Sequence, residues 1–233
     1  YDWDLISNTR NFVGVQNYIK AFSDERFWNA MRNTFLYVVI YVPGLVVLSL
    51  LLALNLNKGT PGERVFRTLF FLPSITSMAI IGIVWRFILD PDLGILPFFL
   101  EQLGLPILAL LREPSTALAT VAAVSIWRWA GFNMVILLAG LNSIPETYYE
   151  AAEIDGAGRS SQFFSITLPL LLPALSFVLV TNIISSFQVF DPVYVMTKGG
   201  PMFSTEVAVY LMYYVGLDRK STRLNSSHRY VSR

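Results

Sequence analysis

Long uncharged stretches alternate with short charged segments along this chain. Between Arg32 and Lys58 lie 25 uncharged residues, and between Arg159 and Asp191 there is no charge at all. A membrane-spanning helix needs about 20 apolar residues to cross roughly 30 Å of hydrocarbon. The pattern therefore predicts four membrane spans, at residues 34–54, 69–89, 115–141 and 163–189.

The interiors of these spans contain features that favour a packed bundle over isolated helices. Prolines interrupt them, and membrane helices tolerate proline where neighbouring groups satisfy the freed carbonyls. Gly44, Ser49 and Ala53 are small enough to permit close contact between helices. The predicted fold class is an all-α membrane protein, a polytopic helical bundle with about four spans present and terminal spans missing.

The charges of the connecting segments predict an orientation. The segment between the first two spans carries Lys58, Arg64 and Arg67, whereas the next connection is mainly acidic. Because basic loops favour the cytoplasm, the first connection is predicted inside and the second outside. By alternation, residues 142–162 form a cytoplasmic loop, and residues 1–33 form an extracytoplasmic segment although they contain four basic residues.

Composition supports a membrane protein and removes several kinds of chemistry. The chain is 54% hydrophobic and only 14% charged, whereas a soluble domain carries about 25% charged residues. It has no cysteine, and its one histidine is His228, so thiolate and histidine metal sites are not expected. We predict no catalytic residue and no metal site, and the net charge of +1 gives no reason to expect nucleic acid.

The last sixteen residues differ from the rest of the chain. Residues Asp218 to His228, DRKSTRLNSSH, resemble the translation of a common short-read sequencing adapter. Residues 218–233 are therefore predicted to be a non-native or disordered tail, and the membrane domain is taken as residues 34–217. Because the sequence starts at Tyr1 and not at Met, we expect a fragment at both ends.

A short acidic helix is predicted in the loop that precedes the fourth span. Ser143 with Glu146 three residues later has the form of a capping box, and Pro145 suits a first helical turn. Gly156 and Gly158 can end the helix, because glycine adopts left-handed backbone conformations without a Cβ clash. Its glutamates share one face, which suits water or a protein partner better than anionic lipid.

The same stretch carries a specific resemblance. Glu150-Ala151-Ala152, Gly156 and the later Ile166-Thr167-Leu168-Pro169 resemble the EAA motif of binding-protein-dependent ABC importer permeases. Further stretches from about Asn11 to Leu217 look like the carbohydrate branch, on the side of the larger maltose-type permease subunit. The chain is thus identified as a member of this family, which resides in the bacterial inner membrane as a multi-pass protein.

The resemblance implies how the protein would work. The helix around Glu150 would be the coupling helix, with Ala151, Ala152, Asp155 and Gly156 in the same docking element. It would contact cytoplasmic ATP-binding subunits, which carry out hydrolysis, so no cofactor is expected on this chain. The sequence has no phosphate-binding GxxxxGK[ST] loop. A second permease subunit, an extracytoplasmic solute-binding protein and membrane lipid would be the other partners.

Substrate contacts are predicted in the third and fourth spans. Arg128 is a charge within the membrane, which is costly unless it is paired or hydrated. It is either a polar contact between helices or part of the solute pathway. The other candidates combine aromatic rings with polar groups, as sugar sites do, and family members pass sugar at similar places: Trp129, Phe132, Asn182, Ser185 and Ser186. The loop TKGGP, residues 197–201, is either a plain connection or a contact for the binding protein.

Alternative functions remain open at this point. A fixed cation at Arg128 would also suit an anion, so an importer of a related solute such as a glycerol phosphate is the closest rival. A membrane enzyme would need histidine, cysteine or an intramembrane carboxylate cluster, which the sequence lacks. A purely structural or sensor protein would not explain the EAA pattern.

Overall fold

The computed structural model describes residues 2–4, 9–11, 14–57 and 61–218. The predicted tail after Asp218 and the basic residue Lys58 therefore lie outside the described residues. Almost all described structure is helical, as the sequence predicts, apart from one small hairpin. In it, strand β1 (Asp2–Asp4) pairs antiparallel with β2 (Thr9–Asn11).

Eleven α-helices follow in the described chain: α1 (Gln16–Phe22), α2 (Glu25–Asn55), α3 (Pro61–Ile75), α4 (Met78–Ile88), α5 (Ile95–Gln102), α6 (Ala117–Asn142), α7 (Glu146–Ile154), α8 (Arg159–Gln162), α9 (Leu168–Phe187), α10 (Asp191–Met196) and α11 (Ala208–Tyr213). A π-helical turn, Phe163–Thr167, joins α8 to α9, and a second one, Tyr214–Asp218, follows α11.

Three of the predicted spans coincide with long apolar helices. Helix α2, helix α6 and the continuous stretch Arg159–Phe187 are each long and apolar enough to cross a membrane. Pro43 lies inside α2 and Pro173 inside α9, and both helices continue past them.

The predicted span at residues 69–89 differs from a single helix. Helices α3 and α4 are separated by a break at Thr76 and Ser77 and are bent by 101° relative to each other. We call this break the elbow. At 1.5 Å per residue, α3 is about 22 Å long and α4 about 16 Å, so neither arm alone crosses the hydrocarbon core. Pro73 lies in the last turn of α3 and has no N–H to donate within that helix.

Two apolar clusters divide the bundle along its length. One joins the middle of α2 to the first half of α6, to α4 and to α10, with Leu45 and Val193 completely buried. The other joins the end of α2 to the end of α6 and the start of α9, with Leu137 and Leu171 completely buried. Helices α2 and α6 therefore run in the same direction, and α9 runs back.

Small residues allow these helices to approach closely. Ser49 and Ala53 of α2 are completely buried, and Gly44 lies against Ile126 of α6, as the sequence predicts. The closest approach is at Gly131 of α6, where a Cβ atom would lie 1.9 Å from the backbone oxygen of Phe70. The backbone of α3 is therefore in direct contact with α6 at a position where only glycine fits.

Candidate functional site

Two adjoining cavities lie beside the elbow, in the part of the bundle where α2, α6 and α9 meet. The first has a volume of about 310 Å³ and the second about 300 Å³. Tyr41, Trp129 and Ser185 line both of them. All six residues that the sequence predicts for the solute pathway line one cavity or both: Arg128, Trp129, Phe132, Asn182, Ser185 and Ser186.

Arg128 projects from α6 to the elbow. Its Nε and Nη2 atoms both donate to the backbone oxygen of Thr76, at 3.2 and 3.0 Å. Its guanidinium also lies over the Trp129 ring, 4.3 Å from the centroid. Arg128 thus satisfies a carbonyl that the broken helix leaves free, which is the condition for irregular backbone at membrane depth.

The polar residues of α9 have different environments. Asn182 is buried and donates to the side-chain oxygen of Asn133 at 2.8 Å, which links α9 to α6. Ser186 is also buried and donates to the carbonyl of Ile183. Ser185 is exposed to both cavities and has a hydroxyl free for a ligand in the described structure. These three residues share one helical face, but their side chains differ in how exposed they are to the cavities.

Asp191 is a cavity residue that the sequence reasoning did not select. It begins α10 and lines the first cavity together with Arg128 and Gln188. Asp191 thus brings a carboxylate to the cavity that the Arg128 guanidinium also lines. The sequence does contain a signal for it, because Asp191 is the first charged residue after a long uncharged span and is followed directly by Pro192.

Two short helices contribute to the wall of the first cavity. Met78 of α4 and Pro192 of α10 both line it. These helices pack against each other at Gly82, where an added Cβ would lie 2.8 Å from Val195. The α4–α10 contact therefore forms part of the cavity's surroundings.

The loop that follows α10 is fixed to the start of α2. Glu206 is completely buried, and its carboxylate accepts from Nε and Nη2 of Arg26 at 2.7 and 2.6 Å. Asn33 donates to the backbone oxygens of Phe203 and Glu206. The predicted TKGGP turn belongs to this loop, and the hydroxyl of Thr205 donates to the carbonyl of Gly200 at 2.7 Å.

A charged cluster connects the segments on either side of α5. Arg112 pairs with Asp92 at 2.7 Å and with Asp90 at 3.3 Å. Backbone N–H groups of Asp92 and Leu93 donate to the Asp90 carboxylate. These donors, with the Arg112 charge, hold the pKa of Asp90 below its usual value.

The acidic helix predicted before the fourth span is present as α7, but it begins differently from the prediction. The capping box is wrong, because Ser143 ends α6 and its hydroxyl donates to the carbonyl of Gly140 at 2.6 Å. Helix α6 runs to Asn142, and α7 begins at Glu146, so Ser143 cannot be the N-cap of α7. Pro145 occupies the N-cap position of α7 and offers no side-chain hydrogen bond.

The end of α7 shows which glycine closes it. Gly156 has a φ of +77°, and Ala157 N–H donates to the carbonyl of Ala152, as in a glycine-terminated helix. Gly158 has a φ of −71° and instead precedes α8, so its predicted role in ending α7 is wrong.

Helix α7 presents its surface to solvent. None of its residues is buried, and Glu150, Ala151 and Asp155 are exposed while Ala152 is half-buried. Ile154 beside them is 87% exposed. Tyr149 attaches the helix to the start of the fourth span by a 2.9 Å hydrogen bond to Thr167.

Comparison with known proteins identifies the family. The family model described as "Binding-protein-dependent transport system inner membrane component" matches residues 19–215. The chain is 39% identical to the probable ABC transporter permease protein YesP of Bacillus subtilis, over 87% of this chain and 66% of that relative. It is 35% identical to the sulfoquinovosyl glycerol transport system permease protein SmoG of Agrobacterium fabrum, over 86% of this chain and 65% of the relative.

A third relative and a solved structure are also components of transport systems. The sn-glycerol-3-phosphate transport system permease protein UgpA of Agrobacterium fabrum is 34% identical, over 91% of this chain and 73% of its own length. A bacterial alginate ABC transporter, crystallised with a periplasmic protein bound to an alginate pentasaccharide, contains a chain that superposes with a TM-score of 0.81 at 26% identity. The match covers 88% of this chain and 73% of that one.

The chain spans about two thirds of the length of YesP and SmoG. The family match itself covers most of the described residues, including α2, the elbow, both cavities and α7. The resemblance found in the sequence is thereby confirmed, and the chain belongs to the family of inner membrane components of binding-protein-dependent transport systems.

Proposed function

We propose that this chain forms one transmembrane subunit of an ATP-driven importer and that its cavities lie on the path of a carbohydrate. One observation carries the proposal: aromatic rings and polar groups, with Arg128 and Asp191 as the charged ones, line two adjoining cavities where α2, α6 and α9 meet. Sites for small molecules combine mostly apolar walls with a few convergent polar groups in this way.

The lining matches the chemistry of a sugar. Tyr41, Trp129 and Phe132 supply ring faces for the apolar side of a pyranose. Ser185 and Gln188 supply groups that donate or accept hydrogen bonds from hydroxyls, and Asp191 accepts them. Relatives named as transporters of a sulfoquinovosyl glycerol and of alginate support a sugar-like solute for this chain.

An anionic solute such as a glycerol phosphate is the second candidate, favoured by Arg128 and by the relative UgpA. Two observations weigh against it. Two of the Arg128 nitrogens already donate to the Thr76 carbonyl. The carboxylate of Asp191 lines the same cavity, so the cationic charge that an anion would meet is opposed.

Energy would enter through α7. Its exposed surface, with Glu150 on the outside, would dock on a cytoplasmic ATP-binding subunit that hydrolyses ATP, so this chain would be no enzyme and would bind no cofactor itself. Closure of the ATP-binding subunits would favour one conformation of the bundle and product release the other, which is alternating access. Docking of this kind requires residues 142–162 to lie on the cytoplasmic side of the membrane.

The proposed mechanism also implies two further partners. A second permease subunit would complete the pathway, and an extracytoplasmic solute-binding protein would deliver the solute, as the family description and the alginate transporter complex support. Loop 197–207 and the α5 region lie at the end of the bundle opposite α7, where delivery would take place.

Uptake of a radiolabelled carbohydrate into proteoliposomes of the assembled transporter tests the pathway. The solute is first chosen by its binding to the partner solute-binding protein. Trp129→Ala should lower uptake strongly, whereas Trp127→Ala should not. Trp127 is a matched control, because it lies on the same helix but faces Trp85 instead of the cavities. Equal uptake by both variants would contradict the assignment, and preference for a phosphorylated solute would favour the second candidate.

Cross-linking tests the docking of α7. The chain has no cysteine, so Glu150→Cys introduces a single reactive thiol. We expect a short bifunctional reagent to link it to the ATP-binding subunit. Glu113→Cys, at the other end of the bundle, is the control and should give no such product. A product at Glu113→Cys alone would reverse the proposed orientation.

A further inference from the structure

The segment from Leu93 to Leu108 carries an uncovered apolar surface outside the two clusters. Leu93 is 77% exposed and Leu103 is 72% exposed. Within α5 the exposed residues Ile95, Phe98 and Phe99 follow a helical spacing of three and four. We call residues 93–108 the α5 segment. Glu101 is its one charged residue, so the surface depends on apolar contact and not on ion pairs.

The base of the α5 segment is polar and fixes its depth. Asp90 and Asp92 precede it, Arg112 follows it, and their ion pairs join its two ends. The side chains of Asp92 and Arg112 are 68% and 54% exposed. Exposed charges of this kind belong in water or among lipid headgroups. The α5 segment therefore starts and finishes at the surface of the bilayer.

The length of the segment prevents it from going deep. Helix α5 has eight residues and is about 12 Å long, far less than the roughly 30 Å of a hydrocarbon core. The preceding helix α4 also has exposed apolar side chains, among them Ile83 and Phe87. A short apolar helix attached to a polar base and continuing a membrane helix fits the zone between headgroups and acyl chains.

A transient protein partner explains this surface less well. The solute-binding protein binds and dissociates, and a transient interface is only about as apolar as ordinary protein surface. Permanent interfaces are more apolar, and the collision measurements below distinguish a permanent protein neighbour from lipid.

We propose that the α5 segment is an interfacial anchor that inserts Ile95, Phe98, Phe99 and Leu103 into the outer boundary of the lipid bilayer. Membrane contact of the spanning helices is part of the family fold, whereas this contact is made by a connection between them. It does not depend on the transported solute. Because the segment lacks basic residues, insertion should be independent of anionic lipid.

Site-directed spin labelling of the full-length protein in its assembled transporter tests the proposal. Phe99→Cys and Leu103→Cys place labels on the apolar surface, and Glu113→Cys, an exposed position beyond the ionic base, is the matched control. The complex is placed in phosphatidylcholine nanodiscs. Collision with molecular oxygen reports lipid, and collision with a water-soluble nickel chelate reports solvent. Lipids labelled at the headgroup and along the acyl chain calibrate depth.

We expect the oxygen-to-nickel collision ratio at Phe99→Cys and Leu103→Cys to be several-fold higher than at Glu113→Cys. It should lie between the headgroup and upper acyl-chain standards, with or without added anionic lipid. A ratio equal to that of the control would place the segment in water. Low collision rates with both reagents would place it under a protein partner. Either of these two results would overturn the proposal, whatever solute the transporter carries.

Discussion

Loop 197–207 and helix α7 are both connections between membrane helices, but the rest of the chain holds them very differently. The loop is anchored to α2 by the buried Arg26–Glu206 ion pair and by the Asn33 amide. Its backbone has left-handed φ values at the non-glycine residues Lys198, Met202 and Phe203. Such conformations persist only where surrounding contacts fix them.

Helix α7 has neither buried residues nor comparable anchors in the described structure, where Tyr149 provides its side-chain hydrogen bond to the bundle. The two ends of the bundle are therefore held in different ways. The loop is fixed by contacts within the chain, whereas α7 leaves its surface exposed, as the proposed docking of an ATP-binding subunit requires. Changes at the loop should therefore alter stability, and changes on α7 should alter transport.

The largest expected effect is at the ion pair. Arg26→Ala leaves the completely buried Glu206 carboxylate without its partner, which should lower the free energy of unfolding by about 3 kcal/mol. Thermal unfolding of the purified full-length protein in detergent measures it. Replacing both residues by methionine should recover most of the loss, because no charge is then left buried. A stable Arg26→Ala variant would show that the loop is not fixed by this pair.

Asn33→Ala should come next, with a loss of about 1–2 kcal/mol, because two backbone carbonyls lose a donor. Asn29→Ala is the matched control, since Asn29 is less buried and donates to the Phe203 carbonyl alone. Its loss should be clearly smaller in the same unfolding measurement. Equal losses would mean that the Glu206 carbonyl contributes nothing.

At the other end, Gly156→Ala should cost about 1 kcal/mol, because a Cβ is unfavourable at a φ of +77°. Nothing lies within 4 Å of the added atom, so the cost is conformational and not steric. Gly158→Ala, at a φ of −71°, should leave stability unchanged. If both variants unfold alike, the left-handed turn after α7 is not the reason for the effect.

Glu150→Ala should have the smallest effect on stability and a large effect on transport. Glu150→Ala removes an exposed side chain, so the free energy of unfolding should change by no more than about 0.5 kcal/mol. Uptake in proteoliposomes should nevertheless fall, because the proposed contact with the ATP-binding subunit is lost. Thr147→Ala, another exposed position of α7, tests whether the loss is specific to Glu150. Normal uptake by Glu150→Ala would remove this residue from the coupling surface.

Much of the architecture could be predicted from apolar run lengths. The helices α2, α6 and Arg159–Phe187 follow directly from uncharged stretches of sufficient length. The elbow could not be predicted, because Pro43 and Pro73 look alike in sequence while only the second accompanies a sharp bend. The outcome depends on whether a neighbour satisfies the freed backbone groups, and Arg128 is 52 residues away from Thr76.

The residue types of the candidate site could be predicted from the sequence, but the burial of its individual side chains could not. Aromatic and polar residue types in two spans indicated the cavity lining, but they could not show that Asn182 and Ser186 are buried while Ser185 is accessible. The Arg26–Glu206 pair joins residues 180 positions apart, and no local pattern reports such a pairing. Ser143 lies between the end of α6 and the start of α7, and no local pattern shows which of the two helices its side chain caps.

Arg128 and Gly131 lie one turn apart on α6. Gly131 contacts the backbone of α3 at Phe70, and Arg128 binds the carbonyl of Thr76 just after α3 ends. Two separate contacts restrict rotation of α3 relative to α6. Helix α6 continues to Asn142, and residues 143–145 join it to α7. One helix therefore connects the cavity wall with the segment that leads into α7, so a rigid movement of α6 would shift the elbow and the start of α7 together.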